Sequence, residues 1–455
     1  MSSLREQAIS IWQAGVDAVN SESLVQRNVQ LCDERLVICD QSISLQSVRR
    51  IEVVGGGKAG AGMVRGLQRA LADLPPSITL AGWVNVPEDC VPQDPSDDAI
   101  RLFGARPAGV NEPTAAGQSG TQEMLRRVSA LQPTDICLVL ISGGGSALMP
   151  APVSAITLDD KLSVTRLLAG AATPIEELNL VRRELSRVKG GGLLRHCRAK
   201  TVVALIVSDV IGDPLSDIAS GPTVAAAAEP ARALQVLRRC DPDQSRIAHR
   251  VFDYLQQQAS LPAADPSARS QHVVNRIVGS NAVALAAAAR RATELGYQIK
   301  TLGSENCGSA SEHGRHLFQA LQHLKAESPP GRWCLLAGGE TTVELAPANA
   351  ARKGGRNQET VLAALEACPA PELWERVVLL SGGTDGEDGP TDAAGAVADW
   401  DLLQRYDKSA ASASDYLAIN NSYPFFDQFQ GLLQTGPTHT NVMDLAVGLV
   451  GADVC

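Results

Sequence analysis

The sequence has little of what marks the more specialised protein classes. None of its ten cysteines stands in a C-x-x-C pair; Cys32, Cys39, Cys90, Cys137, Cys197, Cys240, Cys307, Cys334, Cys368 and Cys455 are scattered along the chain. Several lie in apolar runs such as "ICLVLISG" and "CLLAGG", where buried free thiols are expected. That distribution argues against a zinc site or a disulfide framework and fits a reducing cytosol. Aromatic residues make up only 4%, which leaves few platforms for stacking bases. Fifty acidic against forty basic side chains give a net charge of −10, the wrong sign for a nucleic-acid partner. No apolar run reaches the roughly 20 residues of a membrane span. The opening "MSSLREQAISIWQAGVDAVN" mixes charged and apolar residues at helical spacing, so it reads as an amphipathic helix and not as a signal peptide. A cytoplasmic protein is expected, with neither a nucleic-acid nor a membrane partner.

What is present is a chain of 455 residues, long enough for two domains. A β-branched run, a glycine-rich turn and an amphipathic segment recur in that order. "RRIEVVGGGKAG" leads into "MVRGLQRALADL", "DICLVLISGGGSA" ends in glycines, and "KTVVALIVSDVIGD" ends in carboxylates. Near-continuous apolar strands alternating with helices predict a parallel sheet covered on both faces. Ligands of such sheets bind beyond the carboxyl ends of the strands, where these turns fall. Between the strands, Thr157 with Asp160 three residues on predicts a helix start, and Gly190-Gly191-Gly192 predict a helix stop. The polar stretch from Gln256 to Gln271 is the linker candidate. It divides the chain into domains of residues 1–255 and 272–447, with the last residues able to pack back on the first.

Five stretches carry chemistry. In "VVGGGKAGAG", Gly55, Gly56 and Gly57 follow a strand and precede a helix, where bare backbone N–H groups suit an anion. Gly55, Gly57 and Gly60 also fit the dinucleotide fingerprint, but Lys58 sits among them and no acidic residue stands about 20 positions on. The turn Ser142-Gly143-Gly144-Gly145-Ser146 repeats the pattern with two hydroxyls. "VSDVIGDP" places Asp209 and Asp213 after a strand, as a base or a metal ligand would be placed, or as an Asx-turn. "GGTDGEDGPTDAAGA" gathers Asp385, Glu387, Asp388 and Asp392, which repel unless a cation joins them. "ARKGGRNQE" sets Arg352, Lys353 and Arg356 before a helix, against its dipole, unless an anion lies between.

With "NLVRRELSRVKGG", "GGETTVEL" and "TGPTHTNVMDL", these stretches resemble, in order and over about Ile9 to Val447, the type II glycerate kinases with a MOFRL region, here about 333–445. The resemblance implies an α/β fold of two domains. The larger is Rossmann-like, three-layered α/β/α with a mostly parallel sheet; the smaller α/β domain holds the MOFRL region, and the active site lies in the cleft between them. It implies ATP- and Mg²⁺-dependent phosphorylation of D-glycerate to 2-phosphoglycerate. Lys58 and Arg356 match the family's active-site cations, and Asp209 is expected to orient the substrate hydroxyl. Gly55, Gly56, Gly57, Ser142, Gly143, Gly144, Gly145, Ser146 and Lys189 are expected on nucleotide or phosphate, and Asp385 and Asp388 on the metal. Arg106, Glu184, Ser309 and His439 stand where the family pattern has other residues. The alternatives are an NAD(P)H-dependent hydroxypyruvate reductase and a non-catalytic sensor of a sugar acid or nucleotide. A homodimer is compatible with the alanine-rich surface and the N-terminal helix.

Overall fold

In the computed structural model, which describes residues 3–92, 99–107, 109–110, 112–262, 271–327, 331–347 and 352–451, each β-branched run above is a strand that ends at its glycines or carboxylates. The chain divides into two units, Ser21–Val278 and Met1–Asn20 with Gly279–Cys455.

In the Ser21–Val278 unit, β1 (Val29–Cys32), β2 (Arg35–Ile38) and β3 (Gln41–Ser44) form a small antiparallel meander. The main sheet holds β4 (Arg50–Gly56), β5 (Thr79–Pro87), β6 (Ile100–Arg106), β7 (Ile136–Ile141), β8 (Thr201–Val207) and β9 (His272–Gly279). Their order is β6-β5-β4-β7-β8-β9, and β4 to β8 pair in parallel. This is the doubly wound order, reversing direction between β4 and β7, and a ligand crevice opens where such an order reverses. Every residue of β7 is buried, and all of β4 and β8 but their first, because helices cover both faces. On one face Met124, Leu125 and Val128 of the helix Ala115–Ser129 pack with Val139, Ile141, Ala204 and Ile206.

A helical cap within this unit has its own core around Leu168, Val181, Leu237 and Phe252. Its first helix, Leu158–Gly170, begins as expected: Thr157 accepts from the Asp160 amide and Asp160 accepts from the Thr157 amide. The next, Ile175–Glu184, stops well before the glycines expected to end it. Gly190 and Gly191 instead turn the chain into the short helix Gly192–His196.

The other unit has a sheet of β10 (Gln298–Thr301), β11 (Trp333–Gly339), β12 (Val377–Gly383), β13 (Gly395–Asp399), β14 (Leu432–Leu433) and β15 (Asp444–Val450), in the order β10-β11-β15-β12-β13-β14. Only β10 and β11 pair in parallel. The stretch 384–394 carries no helix, so β12 returns antiparallel as β13; a parallel return would need a crossover of a dozen or more residues. The N-terminal helix Leu4–Ala18 belongs here, not to the domain that follows it in sequence. Its buried stripe Ala8, Ile11, Trp12 and Val16 covers one face of this sheet beside Leu445 and Val447, and Trp12 Nε1 donates to the Gly382 carbonyl at 3.3 Å. The Gln256–Gln271 stretch likewise does not separate the units. It starts inside the helix His249–Ala259, residues 263–270 lie outside the described residues, and β9 follows as a strand of the first sheet.

Candidate active site

The two glycine turns at the reversal of the first sheet are laced together. Lys58 N donates to the Gly143 carbonyl at 2.8 Å, Ala59 N to Ser142 Oγ at 3.0 Å, and Gly57 N to the Asn85 carbonyl at 3.1 Å. Gly57 must be glycine, since a Cβ there would lie 2.0 Å from Ser142 Oγ. The first turn is therefore not the open cradle expected from its glycines: the amides of residues 57 to 60 are engaged within the protein. Ser142 is buried, and its Oγ braces the turn by accepting from Ala59 N. The free donors are on the second turn, where the amides of Gly143 and Gly144 meet no acceptor among the described residues. Gly144 has a left-handed φ of 76°, and a Cβ on it would approach Arg106 Nη2 to 3.1 Å and Lys58 Cγ to 3.5 Å. Two cations thus flank these amides.

Two more meet at Ser146, and a third lies near them. Lys189 Nζ donates to Ser146 Oγ at 2.5 Å and to Ser220 Oγ at 3.1 Å, and Arg182 Nη2 also donates to Ser146 Oγ. Lys161 is buried in the cap beside them, and its ammonium has no hydrogen-bond partner among the described residues. Burial pushes the Lys189 ammonium well down, and Arg182 and Lys161 add like-charge repulsion. Burial and Arg182 push Lys161 down to about 7. Arg182 is lowered by burial, and so is Arg106, against the pull of Asp89. Among the described residues no carboxylate forms an ion pair with Lys161, Arg182 or Lys189. Buried charge without a counter-ion is expensive, so such a set points to an anionic ligand. Ser220 is held on Lys189 by backbone in the left-handed region: Ala219, Ser220 and Gly221 have φ of 51°, 61° and 61°. Gly190 N and Gly191 N pin that turn through the carbonyls of Ser220 and Gly221, at 2.9 and 2.8 Å. Strain of this kind persists where surrounding structure enforces it.

Lys58, Gly143, Gly144, Ser146 and Lys189 of this group are among the residues expected from sequence; Lys161 and Arg182 are not, and Arg106 stands there only as a departure from the family pattern. Asp209 lies half-buried just beyond β8, Gly55 and Gly56 are the last residues of β4, and Gly145 opens the short helix Gly145–Leu148. β5 ends at Pro87 and Glu88 and Asp89 follow directly, so acidic residues do stand at the end of the second strand, later than the spacing of about 20 positions.

In the other unit, the cation set before a helix has its anion supplied by the chain itself. Arg356 Nε and Nη2 donate to Asp444 at 2.6 and 3.0 Å, and Nη1 pairs with Glu340 at 2.9 Å. Burial opposes the guanidinium charge, but Asp444 and Glu340 outweigh it and hold Arg356 above its ordinary range. Lys353 stacks on Tyr423 and pairs with Asp392 at 3.3 Å. The helix Arg356–Ala367 is capped from outside by Asp388, whose oxygens accept from Asn357 N at 3.0 Å, Gln358 N at 2.8 Å and Asn357 Nδ2 at 3.3 Å. Asp385 Oδ1 accepts from Glu387 N at 3.2 Å. Asp385 and Asp388 therefore do not fit a resident Mg²⁺ site: the oxygens of Asp388 hold helix amides, and among the described residues no three His, Cys, Asp or Glu groups gather to hold a metal.

Burial raises the Asp388 carboxyl to about 6, above an unfolded value near 4. The folded chain then binds the extra proton between those values. Stability falls as pH rises from about 4 to 6, by about 2–3 kcal/mol from this group, and is flat above. Asp388→Asn is expected to remove that slope in urea unfolding of the whole chain, leaving the rest of the pH profile in place.

Residues 7–256 match a domain of unknown function, DUF4147, and residues 333–444 match the MOFRL family. A glycerate kinase of Danio rerio is 35% identical over 99% of this chain and 98% of its own length. A putative hydroxypyruvate reductase of Agrobacterium vitis is 35% identical over 88% of this chain and 87% of its own. The crystal structure of a glycerate kinase from Thermotoga maritima superposes with a TM-score of 0.82 at 30% identity, covering 98% of this chain and 99% of that one.

Proposed function

The chain belongs to the glycerate kinase family, and on that footing we propose that it phosphorylates D-glycerate from ATP through the cations at the strand ends of the Ser21–Val278 unit. The observation that carries this reading is that buried Lys189 and half-buried Arg182 meet at Ser146, with buried Lys161 near them and no carboxylate partner for the three among the described residues. Phosphoryl transfer asks a protein for positioning and for neutralised charge, with little covalent chemistry of its own. Lys189, Arg182 and Ser146 hold phosphate oxygens of the nucleotide, with Lys161 behind them. Lys58 and the Gly143 and Gly144 amides stabilise the transferring group, and Arg106 fixes the Gly144 turn. Asp209 orients the 2-hydroxyl, giving 2-phosphoglycerate. In the other unit, Asp444 fixes the buried edge of Arg356, which leaves Nη1 to exchange Glu340 for a ligand oxygen. No residue of this chain is assigned to Mg²⁺, which would supply charge neutralisation on the phosphates of a bound nucleotide.

The reductase relative directs attention to the other enzyme class, and Glu88 and Asp89 at the end of β5 stand where a ribose would be held. The first glycine turn argues against it, because Ser142 fills the space at Gly57 and the amides that would meet a pyrophosphate are engaged. Incubation with D-glycerate, ATP and Mg²⁺ is expected to release ADP in proportion to glycerate, with phosphorus NMR locating the phosphate on the 2-oxygen. NADH loss with hydroxypyruvate and no glycerate-dependent ADP would overturn the assignment.

A further inference from the structure

A cavity of about 540 Å³ lies in the Ser21–Val278 unit, with Gly190 and Gly191 of the segment that follows Lys189 in its wall. Gln271, in its wall, donates to the carbonyls of Cys197 and Ala199, just ahead of the first residue of β8, so the cavity lies toward the amino ends of β8 and β9. None of the strand-end cations lines it.

Its chemistry has two halves. Arg183, Arg187 and Arg195 supply positive charge, His196 lies beside them, and Glu184 is the one acid in the wall among the described residues. Burial pushes the Glu184 carboxyl up despite the Glu229 amide and the two arginines beside it, which weakens its claim on them. His196 Nδ1 sits 2.9 Å from the Gly192 carbonyl, so Nε2 faces Arg187 Nη2 at 3.4 Å as an acceptor. Val153, Leu194, Val273 and the alanines 225–228 make the other wall apolar. Planar guanidinium forks suit carboxylate or phosphate, and the volume suits a small organic molecule.

The cavity also touches the machinery that positions Lys189. Ser186, in its wall, accepts from the amides of Val188 and Lys189, both at 3.3 Å. Arg195 Nη1 donates to the Gly190 carbonyl at 2.9 Å, and Gly190 and Gly191 are the residues that pin Ser220 and Gly221. A ligand drawing on Arg195 or Arg183 therefore acts on the backbone that holds Lys189 against Ser220.

We propose that this cavity is an effector site for an organic oxyanion with an apolar body, distinct from the strand-end cations, and that its occupant alters nucleotide binding through Gly190 and Gly191. The test is fluorescence titration of the full chain with 1-naphthyl phosphate and with 1-naphthoate, which separate a phosphate from a carboxylate ligand. At least one probe is expected to saturate at one per chain and to bind at least tenfold more weakly to Arg183→Ala/Arg187→Ala. The exposed Ala227→Glu, which puts negative charge in the apolar wall, is expected to weaken it as much without loss of fold. Lys58→Ala is expected to bind the probe as the native chain does. In the glycerate-dependent ADP assay, bound probe is expected to shift the KM for ATP at least twofold in the native chain and not in Ala227→Glu, whose turnover without probe is native. Absence of saturable binding, binding that survives in both cavity variants, or loss of binding in Lys58→Ala overturns the site. Binding with an unchanged KM overturns the effector role. An inactive native chain would count against the kinase reading and leave the titrations to judge the cavity.

Discussion

Lys161→Met is expected to make the protein more stable and a worse enzyme. Methionine has nearly the length of lysine and no charge, and the ammonium it replaces has no hydrogen-bond partner among the described residues. Replacing buried charge by well-packed apolar groups often stabilises by about 1–4 kcal/mol. The pH dependence gives the sign. Burial lowers the folded ammonium to about 7, below the roughly 10.4 of an unfolded lysine, so the unfolded chain binds the extra proton between those values. Stability of the native chain then rises with pH from about 7 to 10, and the advantage of the variant is fully present below 7 and fades above it. The same change is expected to weaken ATP binding by about 2–3 kcal/mol, roughly a hundredfold, because a bound phosphate would lose a desolvated counter-charge. Thermal unfolding at pH 6 and pH 9, with nucleotide titration on the same samples, checks both halves. A variant that is less stable at pH 6 would mean that Lys161 is a structural residue with a partner of its own.

Lys58→Ala is expected to lower kcat by about 10²–10³-fold, the scale seen when a single donor to a developing anion is removed. The backbone at Lys58 is fixed by the hydrogen bond its amide donates to the Gly143 carbonyl, and its stem lies along Gly144. Removing the side chain leaves those backbone bonds in place, so the fold and the melting temperature should hardly change. Lys58→Arg should recover little, because a guanidinium is wider than the ammonium it replaces and Arg106 already occupies the other flank of Gly144. Steady-state kinetics on both variants, with circular dichroism as the control for folding, make the comparison. A kcat within fivefold of native in Lys58→Ala would remove this residue from the chemistry.

The two glycine turns, the strands before them and the Thr157–Asp160 helix start could be read from sequence, because each depends on residues adjacent in the chain. The partners of the backbone amides could not. Nothing near Lys58 announces that Ser142 and Gly143 will close on it from another strand, or that Asp388 will cap a helix beginning at Arg356. Lys161 and Arg182 did leave a signal. Lys161 lies at helical spacing with the buried Val164 and Leu168, and Arg182 follows the buried Leu178 by four residues. A cation on an apolar stripe is an exception that asks for an anion, and the sequence alone shows it. The N-terminal helix was recognised as amphipathic, but its sheet is built from residues beyond 278, and amphipathicity does not say which sheet a helix will cover. The mixed pairing of that sheet was hidden for the same reason: apolar strand content is similar whether a strand returns parallel or antiparallel.

Calorimetric titration of ATP at pH 8, in two buffers of different ionisation heat, tests the strand-end cations most directly. Lys161 should be largely neutral there in the unliganded protein and become charged when phosphate arrives. The native chain is expected to take up protons on binding, and Lys161→Met to take up about one fewer while binding ATP about a hundredfold more weakly. Equal proton uptake by the two proteins, with equal affinity, would show that the nucleotide's phosphates bind elsewhere.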